Sequence, residues 1–209
     1  MNGKRNEEMS IEDETVFINM VQEMTMRVIG GEYRSRLIAM PKGAVIRPTQ
    51  DKVRESIFNI LQDVSGKMVL ELFAGSGALG IEAISRGATH ATFIDNNSKC
   101  IEAIKANLKS LAMDNCQYDI LRADALRALP NIKKEGKNFD LVFMDPPYYK
   151  GTTKKCLILI DSYDILSRIG LVVVEHHRKD DLPLDLKTIK IEKVRRYGDT
   201  VITIFHKIL

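Results

Sequence analysis

From Met68 onward the chain alternates short apolar runs with amphipathic stretches. MVLELF (68–73), ATFID (91–95), DLVFMD (140–145) and LVVVE (171–175), with the more mixed YDILRAD (118–124), have strand length. Near-continuous apolar runs of this size suit strands buried on both faces. Between them fall a Gly-rich turn with a helix reaching about Arg86, and a helix carrying Ile101, Ile104, Leu108 and Leu111 on one face. A short helix over 125–129 and a helix near 153–166 follow. Strands alternating with helices predict an α/β fold with a mostly parallel, doubly wound sheet. The end departs from this pattern. KTIKIEKVRRYGDTVITIFHKI reads as two β-rich runs joined at Tyr197-Gly198-Asp199, a hairpin, so the last strand is expected to run antiparallel to the rest.

Upstream the rhythm differs. Ser10 with Asp13 resembles a capping box, and Val16, Met20 and Met24 recur at helical spacing, which predicts a short N-terminal helix or a poorly ordered appendage. MRVIGGEYRSRLIAM (26–40) suits a β-hairpin around its Gly-Gly pair. Pro41, Gly43 and Pro48 mark a loop, after which Thr49 can cap a helix with an apolar stripe at Val53, Ile57, Ile60, Leu61 and Val64, ended by Gly66. The expected organisation is an acidic extension (1–25), a basic hairpin and helix (26–65) and a main domain (66–209).

At 209 residues the chain accommodates one well-buried domain and a small accessory element. Its 44% hydrophobic and 28% charged residues exclude disorder for most of its length. The longest apolar runs, such as Leu171 to Val174, are far too short to span a membrane. The first twenty residues are acidic and lack an apolar core, so a secretory signal is not expected and cytoplasmic residence is. Cys100, Cys116 and Cys156 form no CxxC pair, and the four histidines form no HxxxH cluster, which argues against disulfides and structural zinc. Charge is uneven. Residues 1–25 carry −4 and the remainder +7. Residues 26–60 hold Arg27, Arg34, Arg36, Lys42, Arg47, Lys52 and Arg54 against Glu32, Asp51 and Glu55. A basic front end suggests a polyanionic partner, with a solvated charged face as the alternative.

Gly75-Ser76-Gly77-Ala78-Leu79-Gly80 matches G-x-G-x-x-G directly after a predicted strand and at the start of a helix. Its glycines let a ligand approach the backbone, and the helix N-terminus offers unpaired N–H groups. Asp95, eighteen residues after Gly77, ends the second strand, where a carboxylate can accept from both ribose hydroxyls. The pair implies an adenosine-containing cofactor without distinguishing NAD, FAD and S-adenosylmethionine. Asp124 ends the third strand, to bond an adenine amino group or to cap the next helix. Glu71 lies inside an apolar strand and needs a partner, either the Gly-rich loop or the cofactor's ammonium. Phe73, Ser76, Asn96 and Ala125 adjoin these positions and complete the expected cofactor set.

Asp145-Pro146-Pro147-Tyr148 follows the fourth strand at once. Two prolines stiffen the chain and drive it out of the sheet, fixing a carboxylate and a main-chain carbonyl in one geometry. That geometry suits an exocyclic amine whose two N–H protons are accepted by Asp145 and the Pro146 carbonyl, with Tyr148 stacked on the base.

The Gly-rich loop, the downstream acids and DPPY together resemble class I S-adenosylmethionine-dependent methyltransferases that modify nucleobase amino groups. RVIGGEYRSR, RPTQDKVRESIFNIL, ELFAGSGALGIEAISRGA and DPPY, in this order, resemble the RsmD-type 16S ribosomal RNA guanine-N2 methyltransferases of bacteria, from Met26 to the C-terminus. The resemblance implies a Rossmann-like seven-stranded sheet with an antiparallel C-terminal strand. It also implies S-adenosyl-L-methionine as cofactor and methyl transfer to one guanine of small-subunit rRNA. The substrate would be an assembly particle holding ribosomal proteins, and the enzyme a monomer. Arg34 and Arg36 in the basic segment would then hold phosphates. Arg47, Thr49, Asp51 and Arg54 would lie near the target, with helix capping as the alternative for Thr49 and Asp51 and surface charge for the arginines. A flipped nucleotide is expected. Ser35 stands where that family usually has glycine. Other readings are an amino-methyltransferase of another nucleic acid, a NAD-type oxidoreductase with His176 or His177 as its acid–base group, and a catalytically silent RNA-binding module.

Overall fold

The structure, a computed structural model, describes residues 25–41, 49–147 and 151–208, with only the backbone at Thr49 and Gln50. The helix predicted within 10–24, as well as Arg47 and Tyr148, lies outside the described residues.

β1 (Thr25–Arg27) and β2 (Leu37–Ala39) form a small antiparallel hairpin with Thr25 opposite Ala39. Its tight end needs left-handed backbone at Gly31 (φ 75°) and again at Ser35 (φ 69°). An L-residue there costs roughly 1–2 kcal/mol, part of which glycine returns as lost chain entropy. We expect Ser35→Gly to stabilise the protein by up to about 1 kcal/mol in a denaturant titration.

α1 (Thr49–Leu61) follows. The main sheet consists of β3 (Met68–Leu72), β4 (His90–Asp95), β5 (Tyr118–Arg122), β6 (Phe139–Met144), β7 (Leu166–His177), β8 (Ile189–Tyr197) and β9 (Thr200–Lys207), in the order β5-β4-β3-β6-β7-β9-β8. β9 runs antiparallel to both neighbours, and β3 to β7 are mutually parallel. The connecting helices are α2 (Ala78–Ser85), α3 (Ser98–Ser110), α4 (Ala125–Lys134) and α5 (Thr152–Tyr163).

The runs are continuous in apolar residues because both faces are covered. Val69 and Phe143 face a core shared with Phe58 of α1, Ile81 of α2 and Ile104 of α3. Leu70, Leu72 and Val142 face the opposite core, with Leu129 of α4 and Leu157 of α5. Strand order reverses between β3 and β6, and the crevice beyond their carboxyl ends is where open α/β sheets take ligands.

Three boundaries differ from the sequence expectation. α1 stops at Leu61, not at Gly66, because Gln62 adopts φ 58°. α5 stops at Tyr163, since Asp164 turns left-handed (φ 50°), and the residues expected to prolong it open a β7 that reaches well beyond 171–175 in both directions. α4 continues through Pro130 to Lys134. Burial of Ala125, Ala128, Leu129 and Ile132 on the sheet outweighs the one N–H that proline lacks.

Candidate active site

The turn after β3 places Phe73 (φ 59°), Gly75 (φ 56°) and Gly77 (φ 77°) in the left-handed region. Gly75 faces open space: a Cβ there would meet nothing nearer than the Phe73 carbonyl at 4.0 Å. Gly80 answers a different demand. A Cβ there would lie 2.4 Å from Phe93 and 2.8 Å from the Glu71 carboxylate, so the third glycine lets α2 press against the sheet.

Glu71 is 4% exposed. Its carboxylate accepts the N–H groups of Leu79 (3.2 Å) and Gly80 (2.8 Å), which anchors the first turn of α2. Burial pushes this carboxyl up to about 8, against the opposing pull of the two N–H donors and Arg54. Asp95 accepts from Gly75 N (2.9 Å) through one oxygen and Asn97 N (2.8 Å) through the other, so it fixes the loop, and the Cys100 thiol is hydrogen-bonded to the same carboxylate.

Glu71 and Gly75 open onto a cavity of about 380 Å³ lined also by Met40, Arg54, Asn97 and Asp145, among others, whereas Gly77, Gly80 and Asp95 are not in its lining. Phe73 and Ser76 line it as well. Its size lies within the range of small-molecule sites. Asp145 is exposed, while Pro146 behind it is buried. Asp124 and Ala125 are not in the lining. Asp124 caps α4 by accepting from Arg127 N (3.2 Å), the second of its two expected roles, and Ala125 is packed into the core. Asn96 is exposed beside the cavity residue Asn97.

The basic segment divides. Arg34 is exposed, and Arg36, also exposed, donates to the Ser110 carbonyl at 2.8 Å. Arg54 is 3% exposed and is not a surface phosphate contact. It donates to Asp51 (3.0 Å) and to the Arg27 carbonyl, and its Nε lies 4.0 Å from Glu82. Burial lowers its affinity for its proton, offset by Asp51, Glu82 and Glu71. Asp51 is thereby an ion-pair partner on the first turn of α1; Thr49 is the first helical residue.

Several residues have roles that the sequence reading did not assign. Glu82, fully buried in α2, accepts Ile29 N (2.7 Å), Gly30 N (2.8 Å) and Arg86 Nε (2.7 Å). Asn107 in α3 pairs with Ala39 through both N–H (2.8 Å) and carbonyl (2.9 Å), and donates to the Ser76 carbonyl at 3.0 Å. The hairpin is thus bonded directly to the cofactor-loop elements. Met40, Pro41, Cys100 and Glu175 also line the cavity. The Cys100 thiol, pushed up to about 11 by burial and then by Asp95, is not a thiolate near neutrality. His176 is held by Thr203 Oγ1 (2.9 Å) and the His177 carbonyl (3.0 Å), and neither histidine lines the cavity.

The family described as Conserved hypothetical protein 95 matches residues 26–206. The chain is 42% identical over 183 residues to YlbH of Bacillus subtilis, covering 87% of this chain and 99% of that protein. It is 35% identical over 159 residues to ribosomal RNA small subunit methyltransferase D of Escherichia coli, covering 76% and 78% respectively. Among solved structures, yhhF from Escherichia coli aligns with a TM-score of 0.76 at 29% identity, over 88% of this chain and 98% of that one. A sheet of this order, a glycine loop beneath a docked hairpin and relatedness along nearly the whole chain lead to one assignment: the chain belongs to the RsmD family and has the methyltransferase fold.

Proposed function

We propose that this protein transfers a methyl group from S-adenosyl-L-methionine to the exocyclic N2 of a guanine in bacterial small-subunit rRNA. The observation that carries the reading is the placement of Asp145 and the Gly75 loop on one cavity, roofed by residues of the hairpin and α1. The residues present fit the cofactor. Gly75 leaves room for close approach, and Glu71 supplies a buried carboxylate on the cavity for an ammonium. Asp95, outside the lining, bonds Gly75 N and is assigned the ribose hydroxyls from its place at the end of β4. When bound, the cofactor supplies an electrophilic methyl on a sulfonium.

The chain's own part is positional. Asp145 and the Pro146 carbonyl accept the two amine protons, turning the nitrogen lone pair toward the methyl carbon. Tyr148 stacks on the base, and the N-terminal segment holds phosphates through Arg34, Arg36 and Arg47. Thr49 and Asp51 shape the approach to the target, and Arg54 acts from within by fixing the hairpin. A single-stranded or flipped guanine meets this geometry. The packed state of His176 and His177 removes the only acid–base candidates of the oxidoreductase reading.

The test is to incubate small subunits from a strain lacking this gene with the protein and labelled cofactor, then to map the product by mass spectrometry. One guanine carrying an N2 methyl is expected. No incorporation, or methylation of another atom, overturns the reading. Calorimetry with S-adenosylhomocysteine against NAD should give binding of the first alone.

Glu71 adds a pH prediction. Its carboxyl, raised in the fold to about 8 from an unfolded 4.5, is mainly neutral at pH 7. Because the unfolded chain binds fewer protons, stability falls as pH rises from about 4.5 through 8. An ammonium placed beside it favours the charged form. S-adenosylhomocysteine binding at pH 7 should therefore release protons, read as a dependence of heat on buffer ionisation enthalpy. Equal heats in all buffers at pH 7 would remove Glu71 from the ammonium site.

A further inference from the structure

β8 is the outermost strand of the sheet, paired on one side only, with β9. It runs parallel to β7, so its Tyr197 end arrives at the carboxyl edge, where the cavity lies. There Tyr197 OH is hydrogen-bonded to Ser56 Oγ of α1, the helix whose Val53, Arg54 and Ile57 line the cavity. The strand carries Lys190, Lys193, Arg195 and Arg196 against the single acid Glu192. Among the described residues, none of the ion pairs engages these four cations; Arg195 donates only to the adjacent Val194 carbonyl.

Register fixes where two of them point. Lys193 lies opposite Ile204 and Arg195 opposite Ile202, and both isoleucines belong to the core beneath α1, α2 and α3. Lys193 and Arg195 therefore stand on the α1 side of the sheet, two residues and roughly 7 Å apart. That step is comparable to the separation of neighbouring phosphates on a nucleic-acid strand. A register shift between Ile191 and Lys193 sets this alignment, as bulges at sheet margins re-aim side chains. Lys52, exposed one helical turn before Ser56, extends the row along α1. Charge on an edge strand also blocks edge-to-edge pairing. Protection of that kind works with either sign and does not require cations without partners aligned toward one helix.

We propose that β8 is a second RNA-contact surface, on which Lys193 and Arg195 hold backbone phosphates flanking the nucleotide that enters the cavity. The proposal rests on the rRNA methyltransferase reading and enlarges it: the substrate would be gripped from the hairpin on one side and from the far margin of the sheet on the other.

The test compares wild type with Lys193→Ala/Arg195→Ala and Lys193→Glu/Arg195→Glu in steady-state methylation of unmodified small subunits over a range of salt. A control variant, Lys133→Glu/Lys134→Glu, alters exposed cations on α4, across the sheet. The alanine pair should raise KM and reduce the log–log salt slope by roughly 0.7–0.9 per lost phosphate contact. The glutamate pair should raise KM at least tenfold. Both should leave kcat and S-adenosylhomocysteine affinity unchanged, and the control should behave as wild type. If the glutamate pair fails to fold, the alanine pair carries the test. Unchanged KM and slope in folded variants of an active enzyme overturn the β8 surface alone, as does an equal loss in the control. A wild type that methylates no rRNA overturns the functional reading and this proposal with it.

Discussion

Asp145→Asn should lower the single-turnover rate of methyl transfer by about two orders of magnitude, near 2.7 kcal/mol of transition-state free energy. Affinity for S-adenosylhomocysteine should be unchanged. The argument begins with the backbone. β6 delivers Asp145 from Met144, which is 1% exposed, and Pro146 behind it is buried, so the carboxylate leaves the sheet at a fixed point on the cavity wall. The guanine N2 lone pair is delocalised into the ring, and two acceptors on its protons are what concentrate it toward an electrophile. Asparagine keeps the shape but can present an N–H where an acceptor is needed, and that mismatch is felt most as charge develops on nitrogen. A strong base is not required, because the methylated nitrogen is cationic and sheds its proton readily. Tyr148→Phe should keep most activity, while Tyr148→Ala should lose base stacking of about 1–3 kcal/mol. A near-normal rate in Asp145→Asn would remove the amine-polarising role and the chief reason to assign an amino group as the acceptor.

The strands were legible in the sequence for a physical reason. A strand covered on both faces has no polar side, so β3, β4 and β6 appear as apolar runs whose ends coincide with the turns. Helix ends were less so. Gln62 and Asp164 terminate α1 and α5 in a conformation that glycine would normally signal, and neither residue type announces it. Ser35 conceals the same thing in the hairpin. Pro130 misleads in the opposite sense, suggesting a break where packing carries the helix on.

At the site, placements that depend on local order were legible: Glu71 beside the loop and helix turn it anchors, the glycine turn after β3, and Asp145 at the end of β6 on the cavity. Burial of charge was not. Arg54 reads as one more cation of a basic segment, yet it is enclosed by Asp51, Glu82 and the Arg27 carbonyl. Asn107 meets Ala39 across 68 residues, and no spacing rule reaches that far. The basic row of β8 depends in the same way on a register that only the pairing with β9 defines.

Glu82→Ala should cost about 3–5 kcal/mol of stability, the range for stripping one partner from a buried charge cluster. The carboxylate is fully buried in α2, where it collects Ile29 N, Gly30 N and the guanidinium of Arg86. Arg54 Nε, 4.0 Å away, makes no hydrogen bond of its own and depends on the same charge. Alanine would leave two backbone donors without their acceptor and strip Arg86 of its ion pair, while Arg54 would keep Asp51 and the Arg27 carbonyl but lose the charge facing its Nε. Against a typical domain stability of about 5–15 kcal/mol, that is a large fraction. The loss should have a location as well as a size. Ile29 and Gly30 form the hairpin's approach to its turn, so hydrogen exchange should rise across 25–39 before it rises in β3 or β6. Glu82→Gln, which retains an acceptor for the backbone donors, should recover part of the loss but not the part owed to the two arginines. A change below about 1 kcal/mol in Glu82→Ala, with exchange in the hairpin as in wild type, would mean that Ser85 and Asn107 hold the hairpin without it.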